Sequence, residues 1–336
     1  MFSMNTFGND LYTGKTSVPF VRRRRVWFGI AIGLVVASIL VLFIRPPQFS
    51  IEFTGGSQFT VSGLEAPDQL KATDAVHTVV PGATTKVATV GGNSVRVQTE
   101  QMSDAETRQV SQALATTYGV GADEVSTSFI GPSWGEGVTR QSLMGLGIFL
   151  ALTFLILALY FRTWKMSAAA IIGLADVLVI TVGVYALCGF EISPAAVIGF
   201  LTILGYSLYD TTVVFDKIRE NTTEDGEKSG RTFGESVELG VNQTLIRSIN
   251  TSVIAVLPVA AILFIGAFWL GADTLSDISL SITVGIIVAA YSTLFVAAPL
   301  YATFRGGEPA LRKRDERVLD RRRKAGANAD TAAVGA

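Results

Sequence analysis

A run of apolar residues long enough to cross a bilayer, yet carrying an acid, limits this chain more than any other stretch. From Pro194 the sequence continues through Ala195, Val197, Gly205, Tyr206, Ser207, Leu208, Tyr209, Asp210, Thr211 and Thr212 to Phe215. It turns polar only at Asp216-Lys217-Ile218-Arg219-Glu220. Lipid offers no partner to a bare peptide group, so such a run must be helical. A carboxylate within it must face protein or a wet cavity, which makes Asp210 a candidate functional acid. The mean hydropathy of +0.44, with 49% apolar and 16% charged residues, excludes an ordinary soluble domain and indicates a polytopic membrane protein.

Five further runs fit the same reading: Val26 to Ile44, Leu143 to Phe161, Ala168 to Phe190, a run ending Val253 to Leu270, and Ile278 to Phe304. Arg22 to Arg25 precede the first. Its 19 residues exceed a signal-peptide core and Arg45-Pro46-Pro47 follows in place of a small-residue cleavage site, so it reads as a retained transmembrane helix. Pro258 and Pro299 fall inside spans, where neighbouring helices absorb kinks. The stretch Glu227 to Asn242 reads as a weakly amphipathic segment lying along the membrane surface.

Between the first two spans, residues 45–141 change to soluble-domain grammar. Phe49 to Phe53 and Ser57 to Val61 flank Thr54-Gly55-Gly56 as strand, turn and strand. Pro67 to Val80 is helix-like. Val87 to Val90 and Val95 to Val97 alternate around Gly91-Gly92-Asn93-Ser94 as a hairpin. Ser103 and Glu106 form a capping-box pattern that opens a helix ending near Gly119, and Val125 to Ile130 reads as a last strand. Two helices and about five short strands predict a small α+β domain of the ferredoxin-like kind. The expected class is thus a six-helix membrane protein with an α+β domain between helices 1 and 2. Its divisions are an N-terminal tail (1–25) that reads as flexible from Met1 to Phe20, helix 1 (26–44), the α+β domain (45–141), a five-helix bundle (142–304) with a polar segment at 217–242, and a basic disordered tail (305–336).

Lys and Arg are unevenly placed: 5 precede the first span, 2 lie at Arg162 and Lys165, 5 between Lys217 and Arg247, and 9 in the C-terminal tail. The connectors Glu191 to Ser193 and Gly271 to Asp277 carry none. The positive-inside rule then puts both termini in the cytoplasm and residues 45–141 outside. The blocks Arg312-Lys313-Arg314 and Arg321 to Lys324 read as anchors on anionic lipid, not as a specific nucleic-acid site. One Cys (Cys188) and one His (His77) leave no metal or disulfide pattern, and nothing suggests a cofactor.

Three ionisable residues lie within spans: Asp176, Asp210 and Arg247, all predicted in the cytoplasmic leaflet. Thr244, Arg247, Ser248 and Thr251 share one helical face with Asn250 beside it, and Ser207, Asp210, Thr211 and Val214 form a matching stripe. One reading is a buried Asp210–Arg247 pair that fastens two helices, although such pairs stabilise poorly. The other is a proton relay in which Arg247 favours ionised Asp210 and protonation releases the arginine. A membrane potential, at ~2.3 kcal/mol per charge per 100 mV, is enough to bias two such packings.

The run Gly205 to Asn221, the stretch Asn242 to Ser252, and Phe53-Thr54-Gly55-Gly56 together resemble the SecF family of the resistance-nodulation-division superfamily. The similarity extends from Arg22 to Phe304. It implies half of that superfamily's fold, completed by SecD, and proton-driven assistance to preproteins leaving the SecYEG channel in the bacterial cytoplasmic membrane. It implies essential roles for Asp210 and Arg247, a motif acid at Asp176, and a motif turn at Phe53, Gly55 and Gly56. Implied partners are SecD, SecYEG, YidC, YajC, the moving preprotein and the bilayer. Tyr209 stands where the family has Asn, Ala175 where it has His, and Ser50 and Glu52 where it has Gly and Asp. Alternatives are a proton antiporter of the same superfamily and a non-transporting translocon scaffold.

Overall fold

The computed structural model describes residues 4–90, 92–223, 230–265 and 273–334. In chain order its elements are α1 (Met4–Thr13), α2 (Arg24–Ile44), β1 (Gln48–Phe49), α3 (Ile51–Thr54), β2 (Gly56–Val61), α4 (Gln69–Val79), β3 (Thr85–Val90), β4 (Ser94–Thr99), α5 (Asp104–Tyr118) and β5 (Val125–Ile130). There follow α6 (Pro132–Phe161), α7 (Trp164–Cys188), β6 (Glu191–Ile192), α8 (Pro194–Thr223), α9 (Phe233–Phe264), α10 (Asp273–Ser292), a π-helical turn (Thr293–Ala297), α11 (Ala298–Gly306) and α12 (Pro309–Val334). Among the described residues six helical stretches are long and apolar enough to cross a membrane: α2, α6, α7, α8, α9 and the α10–α11 pair. The chain is a multi-pass membrane protein.

The region between α2 and α6 follows its local signals closely. Strand, helix, strand, strand, helix, strand alternate from β2 to β5, and the antiparallel sheet has the order β3-β4-β2-β5, the ferredoxin-like arrangement. Asp68 caps α4 by accepting from the Leu70 N–H at 3.0 Å. Ser103 and Glu106 form the expected capping box on α5, which ends on Gly119 in the left-handed conformation at φ 70°. The Ser103 hydroxyl and amide hold the Glu106 carboxyl below the usual carboxylate range. Phe59, Val61, Ala72, Val76, Val97 and Leu114 fill one core between sheet and helices. The turn residue Gly91 lies outside the described residues.

One local expectation fails: Phe49 to Phe53 is not a strand. Only Gln48–Phe49 is extended, and Ile51–Thr54 forms a single helical turn. The reason is tertiary. β1 pairs in parallel with β6, on the connector between α7 and α8, and Phe53 turns into a cluster with Tyr185, Ile192, Ala196 and Phe200. The double glycine makes that turn possible. Gly55 closes α3 at φ 73°, and a Cβ on Gly56 would sit 2.3 Å from the Thr99 carbonyl oxygen. A charged contact completes the joint: Glu191 accepts from Arg96 at 3.2 Å and Gln98 at 2.8 Å, at side-chain exposures of only 12% and 11% for the ion pair.

The bundle packs through small residues. A Cβ on Gly240 would lie 2.9 Å from the Ile218 backbone, and one on Gly199 1.7 Å from Ser281 Oγ, so α8 approaches α9 and α10 at close range. The π-turn precedes Pro299, which has no N–H for the Phe295 carbonyl; the Ala298 N–H instead reaches Thr293 O.

Three expectations about the periphery are revised. The N-terminal segment is not a flexible tail: α1 lies against α9, Leu11 and Phe20 are fully buried, and Asn242 accepts from the Val18 N–H at 2.8 Å. The segment up to Asn242 is not a separate surface helix. A Thr232–Glu235 capping box starts α9 at Phe233, which continues unbroken into the span, with Phe233, Val237 and Val241 in the core. Residues 224–229, part of the polar segment 217–242, lie outside the described residues, as do 266–272 at the following connector. Nor is the C-terminal stretch without structure: α12 forms, Asp315 accepts from the Phe233 N–H at 2.8 Å, and Arg322 bridges to Glu235 at 2.7 Å. Its Ala-, Arg- and Lys-rich composition favours helix, and the acids of α9 give its basic face partners.

Candidate functional site

The polar residues of the membrane helices gather where α8 meets α9 and α10. Ser207, Asp210, Thr211 and Val214 recur at helical spacing on the inner face of α8, and all four are buried. Asp210 Oδ1 accepts from Ser248 Oγ at 2.8 Å, while its Oδ2 is buried with no partner. The neighbouring Thr211 shares a hydrogen bond of 3.0 Å with Thr293, the first residue of the π-turn. One turn from Asp210, Tyr206 of α8 faces Ser252 of α9 and adds two more hydroxyls to the seam.

Arg247 does not meet Asp210. No ion pair within 4.0 Å joins them among the described residues; the guanidinium lies on the exposed side of α9 and donates to the Tyr209 hydroxyl at 3.2 Å. The inward face of α9 is Val241, Thr244, Leu245, Ser248 and Ser252, one position round from the expected stripe. Thr244 and Ser248 therefore belong to the seam, whereas Arg247 and Asn250 are exposed and Thr251 is half-buried, bonded to the Arg247 carbonyl at 2.8 Å. The cause is packing: Gly240 lets α9 close on Ile218 of α8, and this contact fixes which face of α9 turns inward.

Asp176 stands apart. It lies on α7, buried, beside Ser292 of α10, whose hydroxyl donates to the Gly173 carbonyl at 2.9 Å. The π-turn begins at the next residue, so the junction of α10 with that turn touches α7 through Ser292 and α8 through Thr293. Neither residue was singled out from the sequence, although Ser279, Ser281, Thr283, Ser292 and Thr293 recur visibly through an apolar run. The helices also outrun the apolar runs, reaching back to Trp164 and on to Thr223. Asp176 is thereby the central residue of α7, and Asp210 and Arg247 lie next to the midpoints of α8 and α9. Phe53, Gly55 and Gly56 lie away from this seam, at the joint between the α+β domain and the bundle.

The described residues contain no group of His, Cys, Asp and Glu side chains fit to hold a metal ion. The arrangement offers one buried carboxylate with a single hydroxyl donor, a spare oxygen, and a cation one residue out of register on the open side.

Comparison with known proteins gives a consistent result. Residues 109–306 match the family model "Protein export membrane protein SecD/SecF, C-terminal", and residues 40–62 match "SecD/SecF GG Motif". The chain is 39% identical to the protein translocase subunit SecF of Streptomyces coelicolor over 99% of its own length and 88% of that protein's. It is 38% identical to SecF of Mycobacterium tuberculosis H37Rv, over 95% of this chain and 74% of that one. The crystal structure of SecDF from Thermus thermophilus superposes with a TM-score of 0.74 at 28% identity, covering 87% of this chain. A SecDF crystal structure in a super-membrane-facing form gives 0.61 at 27% identity, covering 94%. The chain spans 39% and 40% of those two SecDF chains.

Proposed function

The chain belongs to the SecF family of protein translocase subunits, and from that premise we propose that it uses the proton-motive force, through Asp210, to assist preproteins leaving the SecYEG channel. The observation that carries this reading is the environment of Asp210: a carboxylate in a polytopic membrane protein, bonded to Ser248, with its other oxygen free, on a seam of hydroxyls. A helix pair that needed only adhesion has small residues enough, since Gly199 and Gly240 already bring the helices close. The acid therefore has another role.

In the proposed cycle, Asp210 and Arg247 alternate between two packings. In the present one, Ser248 donates to the carboxylate and the guanidinium is held outward by Tyr209. A small rotation of α9 that brings Arg247 inward would pair it with ionised Asp210; protonation would release it again. Tyr209, where the family carries Asn, gives the arginine its outward partner in this chain.

The exposed strip of Arg247, Tyr209 and Asn250 supports SecD as the complement, because such a strip is costly against lipid. SecDF chains, of which this one spans about two-fifths, support the same partner. SecYEG, YidC and YajC are further expected partners. The basic residues before α2 and after α11 support a cytoplasmic-membrane orientation with both termini inside and the α+β domain outside. Asp176 is separated from the seam, and no step of this cycle passes through it.

The test is preprotein export into inverted vesicles that hold the chain with SecD, with and without a proton gradient. The gradient is expected to accelerate export with the wild-type chain and not with Asp210→Asn at equal assembly. Equal acceleration of both would leave the acid structural and make the protein a scaffold of the translocon.

A further inference from the structure

Away from the seam, α2, α7, the π-turn and α11 line an open-sided cavity of about 440 Å³. Its wall is apolar, formed by Phe28, Val35, Ile172, Val179 and Leu300 among others, and the one ionisable residue on it is Asp176. Asp176 is 93% removed from solvent, being 7% exposed, and its Oδ2 has no partner among the described residues. Of its polar neighbours, Ser292 directs its hydroxyl to the Gly173 carbonyl, and the Tyr291 hydroxyl, within electrostatic reach, makes no hydrogen bond among the described residues. A carboxylate oxygen left in this way inside a bilayer calls for a partner that the described residues do not supply as placed.

We propose that this cavity binds a single-chain lipophilic amine, its ammonium on Asp176 and its alkyl tail along α2 and α11. Three features select that occupant. The volume falls in the range of small-ligand pockets. The mouth faces the lipid side, since Ile32 and Ile172 on its rim are 63% and 44% exposed. Charge and polarity are complementary: one acceptor with negative charge in an apolar chamber matches one cationic donor on an apolar body. Depth rules out a phospholipid headgroup. Asp176 is the central residue of α7, ~18 Å from either end at ~1.5 Å per residue, beyond the reach of a headgroup held at the interface. Water is a poor tenant, because an apolar chamber with one polar group gives it too few partners.

The experiment uses the full chain in nanodiscs of zwitterionic lipid, titrated with dodecylamine and read by native mass spectrometry, with dodecanol as the uncharged competitor. Saturable binding of one amine per chain is expected. Binding should weaken by ~10-fold or more in Asp176→Asn, the scale of one charge-assisted hydrogen bond. It should weaken likewise in Val35→Phe, which fills the chamber from its outer wall. Should Asp176→Asn fail to assemble, Val35→Phe decides. Equal displacement by dodecanol, non-saturable uptake, or binding unchanged by the variants overturns the proposal. Asp210→Asn should bind as the wild type does, so this result is separable from the export assay.

Discussion

The α+β domain and the helix bundle are built on opposite rules. In the domain, Phe59, Val61, Val76, Val97 and Leu114 are inside and the capping residues Asp68 and Ser103 are outside, as water requires. In the bundle, large apolar residues such as Val26, Leu40, Phe43, Leu159 and Leu257 are on the surface, while Asp176, Ser207, Asp210, Thr211, Ser248 and Thr293 are buried. Polar atoms left without a partner occur in both regions, but the unpartnered carboxylate oxygens of Asp210 and Asp176, residues only 5% and 7% exposed, belong to the bundle. A core of hydrocarbon needs no further explanation than stability. A core of acids and hydroxyls does, because lipid rewards apolar surface outside without demanding polar groups within.

The sharpest break of this comparison is expected from Phe59→Ala. Deleting a fully buried phenyl ring should cost the domain ~3–5 kcal/mol, read as hydrogen exchange spreading through β2 to β5 while the bundle helices keep their protection. Loss of protection in α8 and α9 as well would show that the two regions fold as one unit. Ser248→Ala is smaller, at ~1–3 kcal/mol for the donor removed from Asp210, and confined to the α8–α9 contact. Its signature is reduced gradient-driven export with the domain unaffected; unchanged export would remove the seam from the mechanism.

The smallest effect is a matter of pH. Glu106 titrates below its ordinary range because Ser103 bonds its charged form. That contribution is fully present above the ordinary glutamate value of ~4.3 and is lost as pH falls through the folded value. Exchange at the start of α5 should therefore be faster in Glu106→Gln than in wild type at neutral pH, and the two should converge in acid. A difference that persisted in acid would assign the effect to packing instead of charge.

Local grammar served the two regions unequally. Between α2 and α6 the hairpin, the caps and the last strand were all legible, because each is set by neighbours in sequence. The exception was Gln48 to Thr54, where β1 pairs with β6, more than a hundred residues away in the chain, and the chain then turns as α3. In the bundle, periodicity found the stripe on α8 but misplaced the one on α9 by a residue, since two adjacent polar faces, one through Ser248 and one through Arg247, are equally regular. Which face turns inward depended on Gly240 meeting Ile218. The helices at the two ends were missed because their stability comes from contacts with α9 and not from an apolar period of their own.

By itself the sequence determined the number of spans, the α+β insertion and the presence of an acid within the membrane, since each follows from the cost of placing polar groups in lipid. Only the tertiary structure decided what that acid touches, how Arg247 is turned, that Asp176 faces a separate chamber, and that a π-turn stands between the two acids. Those are questions of helix rotation and depth, and helix rotation is settled by the close approach of small residues on neighbouring helices, which hydropathy does not encode.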